Sequence, residues 1–229
     1  MKEKDPYLEM KEIVLKAIHR NGSCVPGYKA VLNAGNIGIF CAVLKEYWAD
    51  VITMHKTDSF RLFEEYYQVN RDGFNKYGIY YNESADNGRV LVTGSTSGVT
   101  ISGNAKGWTF GTSQVKAKGR SSVRAREKSQ IELSEDASCQ SFDDSIICCT
   151  GFSSVNAGGN SRVFAMGNSS VYAGEHTTVY ALGWRNITGT GDAVIKSHAM
   201  RNMELLGNAT FEEIDVNDII TIKKEQYGQ

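Results

Sequence analysis

The chain has 229 residues, enough for one or two domains, and a formal net charge of −1. Bulk charge therefore points neither to nucleic acid nor to an acidic partner, and no apolar run is long enough to span a membrane. The Lys/Glu-rich start lacks the apolar core of a secretory signal, and the five cysteines, Cys24, Cys41, Cys139, Cys148 and Cys149, show no CxxC spacing. These features read as reduced thiols in a cytoplasmic protein.

Residues 1–77 read as a small helical domain. Pro6 opens a helix at its first turn, with Leu8, Ile13, Val14, Leu15 and Ile18 on one side and Asn21-Gly22 at its end. Pro26-Gly27 reads as a turn, Tyr28 to Leu32 as a short helix and Ile37 to Trp48 as another. Asp58 or Ser59 caps a third helix, which Asp72-Gly73 stops. Ile79 to Tyr81 then reads as a first strand.

From Leu91 to Phe211 the chain counts in eights. Stepping from Val115 gives Val123, Ile131, Cys139, Ile147, Val155, Val163, Val171, Val179, Ile187, Ile195, Met203 and Phe211; backwards it gives Gly107, Val99 and Leu91. Two residues after each centre stands a small or apolar residue, as at Ala117, Ala125 and Leu133; two before it stands Ser or Thr, as at Ser113, Ser121 and Ser129. Alternation over five residues is strand periodicity. Gly at the fourth position, as in Gly159 and Gly167, supplies the positive φ of a tight corner. A strand this short cannot bury its inner face alone, so the octads must stack as a solenoid.

Outward residues set the number of octads per coil. At a spacing of sixteen, Phe164 meets Tyr180, Met166 meets Leu182, Lys116 meets Glu132, Arg120 meets Asp136 and Lys128 meets Asp144. At twenty-four these pairings are lost. The reading is a mostly β protein: a two-sided parallel β-solenoid over 78–211 with about 16 residues per coil, preceded by the helical domain. Residues 212–229 read as a C-terminal cap and a polar tail from Lys223. An open strand edge invites aggregation, so both flanking segments are expected to act as caps.

The Gly-Asn-Ser-Ser-Val-x-Ala units, clearest at Gly167–Ala173, resemble octad repeats of bacteriophages and bacterial mobile elements, and more distantly the β-roll heads of trimeric adhesins. The likeness covers a little over half the chain. It implies a solenoid fold and carries over no catalytic residue.

Alternate octads face opposite ways. On the face that carries Val115, Ile131, Ile147 and Val163, the outward residues include Ile146, Cys148, Phe164, Tyr180 and Val194. The adjoining corner adds Phe152, Met166, Leu182, Trp184 and Met200. The opposite face is polar. An apolar stripe of this kind marks a contact surface for a protein partner or a second copy, unless a flanking segment folds back over it. A second candidate is basic: Lys106, Lys116, Lys118, Arg120, Arg124, Arg126 and Lys128 could meet a phosphate backbone, although Glu132, Asp136 and Asp144 stand ready to neutralise them. Glu127, Asp143, Asp144, Glu175, His176 and Asp192 line one corner and read as a solvated corner, with no metal site. His19, His55, His176 and His198 fit no triad, P-loop or zinc spacing. The expected function is therefore non-enzymatic and needs no cofactor: a homo-oligomeric or partner-binding interaction module. By analogy with mobile-element proteins this extends to an inhibitor of a host defence complex. Nucleic-acid or nucleotide binding by the basic coils, and a structural role in a virion or at a surface, are the alternatives.

Overall fold

The computed structural model describes residues 7–8, 10–12, 14–15, 25–47, 58–182, 186–198 and 202–227. The chain divides into two compact units, Met1–Tyr81 and Asn82–Gln229.

The first unit holds helices α1 (Val25–Asn33), α2 (Ile37–Glu46) and α3 (Asp58–Lys76), followed by strand β1 (Ile79–Tyr81). Asn36 caps α2 by accepting the Ile39 N–H at 3.0 Å. Tyr7 Oη and Lys11 Nζ each donate to the Ala34 carbonyl at 2.6 Å, which ties the first described segment to the end of α1. Phe40, Cys41, Leu44, Tyr67 and Phe74 are buried as an aromatic-rich core, and burial pushes the Cys41 thiol up to about 12 against the pull of Lys45. Two expectations are corrected. Pro26 lies inside α1 instead of in a turn before it; its missing N–H costs nothing in a helix's first turn. Asp72-Gly73 does not stop α3, which bends at Asn70 (φ −121°, ψ 24°) and runs on to Lys76. Ile13, Ile18, Asn21-Gly22 and Trp48 lie outside the described residues.

The second unit is the solenoid. One sheet stacks the even strands: β2 (Arg89–Val92), β4 (Lys106–Thr109), β6 (Ser122–Ala125), β8 (Ser138–Ser141), β10 (Ser154–Ala157), β12 (Ser170–Ala173), β14 (Asn186–Gly189) and β16 (Met203–Leu205). The other stacks the odd strands: β3 (Val99–Ile101), β5 (Gln114–Ala117), β7 (Gln130–Leu133), β9 (Ile146–Cys149), β11 (Arg162–Ala165), β13 (Thr178–Ala181), β15 (Val194–Ser197) and β17 (Thr210–Glu213). All these pairings are parallel, and from β3 on each residue pairs with the one sixteen positions later, as Val163 does with Val179 and Val155 with Val171. Each coil is therefore two octads, as the outward ladders require.

The interior follows from the octad. Val123, Ile131, Ile147, Val163, Val179 and Ile195 are fully buried, beside the small residues Ala125, Ala165, Ala173 and Ala181. Gly107 is the one non-apolar centre, and the Ile101 δ-methyl fills the space a side chain would need there. The buried hydroxyls close the corners: Ser129, Ser145, Ser153 and Ser161 each donate to the carbonyl three residues back, at 2.7–2.9 Å. This is the local side-chain bonding that Ser favours at turns.

The repeat fails in one place. Val90, not Leu91, pairs with Gly107, so the register between β2 and β4 is one residue longer than elsewhere. The corner between β2 and β3 absorbs the extra residue, with both Gly94 and Gly98 at positive φ.

Residues in the left-handed region of the second unit are Gly, acidic or, at Asn82 and Asn202, asparagine. Glu127, Glu135, Asp143 and Glu175 all have φ between 52° and 59°. Each acid reaches back one coil to a backbone N–H: Glu127 accepts from Gly111 at 2.7 Å, Glu135 from Gly119 at 3.0 Å, Asp143 from Glu127 at 3.1 Å, and Glu175 from Gly159. That bond offsets the steric cost of positive φ for a side-chain-bearing residue. At Gly159 (φ +67°) an added Cβ would meet the Asp143 backbone N at 2.6 Å, whereas at Gly158 the nearest atom is Glu175 Oε2 at 3.6 Å. Gly159→Ala is expected to lower unfolding free energy by about 2–3 kcal/mol. Gly158→Ala should change it by no more than about 0.5 kcal/mol. Paired urea melts of the two variants check this.

Candidate interaction face

The centre of the outward row on the odd sheet reads, strand by strand, Lys116, Glu132, Cys148, Phe164, Tyr180, Lys196 and Glu212. An apolar triple stands between two charged pairs. Lys116 and Glu132 approach to 3.3 Å, and Lys196 and Glu212 to 2.7 Å. Phe164 and Tyr180 stack with ring centroids 4.9 Å apart and planes 10° from parallel. Parallel in-register pairing brings like beside like, so a stack of aromatics and an alternation of charges both stabilise the ladder.

The stripe does not lie open at its middle. Phe164 is only 1% exposed and Cys148 only 4%, while Ile146, Tyr180 and Val194 are half-buried. The cover is a helix, α4 (Val216–Tyr227), where the sequence reading has a C-terminal cap running into a polar tail from Lys223. Asp215 precedes it and accepts the Asn217 N–H at 2.8 Å, an N-terminal cap. Ile219 is fully buried, and Val216, Ile222, Lys223 and Gln226 are half-buried; Asn217, Asp218, Ile220, Thr221 and Glu225 are exposed. This is one helical face. Lys223 Nζ lies 3.6 Å from Met166 Sδ, which places the helix across the apolar stripe. Twelve residues of helix span about 18 Å, close to the ~19 Å between β17 and β9.

Burial raises the Cys148 thiol, Lys223 pulls it the other way, and Glu132 adds to the rise. The thiol is therefore a sheltered group whose neutral form is favoured by burial. Cys139 is raised further still by complete burial. Cys41, Cys139, Cys148 and Cys149 are all free thiols.

The rim of the stripe is different. Phe152, at the corner after β9, is 70% exposed, and Met166 and Leu182 on the following coils are half-buried. Trp184 and Met200 lie outside the described residues. On the opposite sheet the outward positions Ser154, Asn156, Ser170, Tyr172 and Asn186 are open and, apart from the tyrosine, small and polar.

The seven basic residues do not form one surface. Lys116 faces out from the odd sheet and pairs with Glu132; Lys106 and Arg124 face out from the even sheet. Lys118 and Arg120 stand at one corner of the coil, Arg126 and Lys128 at the other. Arg124 lies over the Trp108 ring at 5.7 Å and Arg126 over Phe142 at 4.8 Å, so both guanidinium groups have aromatic contacts of their own. Of the acids expected along one corner, Glu127, Asp143 and Glu175 serve the backbone bonds described above, and His176 Nδ1 lies 3.7 Å from Asp192. Asn160 and Asn208 donate to Asp144 and Asp192 at 3.4 and 3.1 Å.

Comparison with protein families, curated proteins and solved structures gives no match. What the structure shows is a parallel β-solenoid of about sixteen-residue coils after N-terminal helices.

The position of α4 makes a chemical prediction. Ile219→Asp, which unseats the helix, is expected to raise the alkylation rate of Cys148 by about tenfold or more while Cys139 and Cys149 stay protected. Mass spectrometry of iodoacetamide-treated protein reads each site separately.

Proposed function

We propose that the chain is a non-enzymatic protein-interaction module that offers the rim of its apolar stripe to a partner protein or a second copy. The observation that carries this reading is Phe152, a large aromatic 70% exposed on a corner whose next coils present Met166 and Leu182. A bare aromatic anchored on a hydrogen-bonded corner needs little ordering on contact, so its burial contributes to affinity with a small entropic cost. Phe152 N–H donates to the Glu135 carbonyl at 2.9 Å, which holds its backbone in the stack. A masking role against a host complex is the form of such binding that the mobile-element resemblance suggests.

The test compares wild type with Phe152→Asp, a surface change that leaves the ladder intact. Light scattering across a concentration series, and co-purification from the source cells, are the readouts. The expected outcome is that the variant loses the oligomer or the co-purifying protein, with affinity down roughly 30-fold, equivalent to about 2 kcal/mol. An unchanged mass together with unchanged co-purification would overturn the reading.

A further inference from the structure

The last coil of the solenoid is built unlike the others. Inward centres of earlier coils are sealed, with Ile187 at 2% and Ile195 at 0% exposure, but Met203, Leu205 and Phe211 in β16 and β17 are only half-buried. Among the described strands none follows β16 or β17 in its sheet. The segment that follows β17 does not close this end, because α4 turns back over the outward stripe. An apolar inner row and a strand edge thus stand at the surface together.

Charge says what fits there. Glu204 faces outward on β16 and Glu212 on β17, and Glu213 occupies the inward position that Ala181 and Ser197 fill in the two preceding coils. All three carboxylates lie on exposed residues. A second copy presenting the same end would set carboxylate against carboxylate, which disfavours self-pairing. Opposite charges already pair along the outward row, Lys116 with Glu132 and Lys196 with Glu212. With Glu204, Glu212 and Glu213 all exposed at this edge, a strand added beside β17 is favoured when it sets a cation there.

We infer that the open end of the solenoid accepts a β-strand of a partner protein in parallel register, with an apolar residue against Phe211 and Lys or Arg against Glu212 and Glu213. Main-chain bonds to the edge supply affinity, and the side-chain alternation supplies selectivity. The surface is separate from the Phe152 rim, so either can fail without the other.

The probes are two fluorescein-labelled peptides, Ala-Val-Ile-Lys-Lys-His and Ala-Val-Ile-Glu-Glu-His. The first follows residues 193–198, the strand that already pairs with β17, with Lys in place of Ser197 opposite Glu213; there Ile195 lies opposite Phe211 and Lys196 opposite Glu212. Fluorescence anisotropy with the full chain is expected to show the Lys peptide bound roughly tenfold tighter than the Glu peptide. That lead should shrink in high salt. The Glu212→Lys, Glu213→Lys double variant should reverse the order. The wild-type salt dependence serves as the check if the variant folds poorly. The inference is overturned if the Lys peptide does not bind, if both peptides bind alike, or if the order persists in a folded double variant. A concentration-dependent dimer that the double variant abolishes would also overturn it, by making a second copy the occupant.

Discussion

Everything in the second unit rests on a backbone ladder with one period. A strand residue donates its N–H to a carbonyl seventeen positions earlier, as Ser122 does to Ala105, Ile146 to Ser129 and Ser170 to Ser153. Because the offset is constant, chemistry repeats in rows: buried hydroxyls, buried valines and small residues each form a column down the stack. An extra residue on a strand would turn its inner face outward. The single extra residue in this chain sits where it can be tolerated, in a corner with two glycines in the left-handed region.

Once the rows are set, the outer surfaces follow. A row must be compatible with itself at a spacing of about 4.8 Å. Stacked aromatics satisfy this on the odd sheet, alternating charges satisfy it on either side of them, and serines and asparagines satisfy it on the even sheet. The acidic corners solve a different problem. A non-glycine residue at positive φ is strained, and its carboxylate recovers a hydrogen bond from the preceding coil. These acids are thus part of the scaffold. What distinguishes one outer face is the helix laid along it, which turns an apolar surface into a second, smaller core around Phe164 and Ile219.

The solenoid could be read from residues alone because its signal is repeated many times and each copy constrains the others. Coil length followed from five outward pairs, of which Phe164–Tyr180 and Lys116–Glu132 make direct contacts in the structure. Non-repeating features were harder. Leu91 fitted the count of eights but not the register, since Val90, Leu91 and Val92 are all apolar and leave a one-residue slip invisible. The helix α4 was missed because its buried face includes Lys223 and Gln226, which hydropathy assigns to solvent; the spacing Val216, Ile219, Ile222, Lys223, Gln226 after Asp215 was the available sign. Its cover over Phe164 and Cys148 could not be read at all, because docking a helix on a distant sheet is a tertiary event with no local signature. Pro26 misled because a proline before glycine marks a turn and also suits a helix's first turn equally well.

The helix across the stripe also has a consequence for how the molecule comes together in time. Every coil closes a loop of about the same length, so each addition carries a similar entropic cost and the stack can grow stepwise from any nucleus. The helix has no docking surface until β9, β11, β13 and β15 are in register, and it follows all four of them along the chain. Until then Phe164 and its neighbours face water on every partly built stack. The most apolar outer surface is therefore bare while the stack is incomplete, and docking of the helix is the step that covers it.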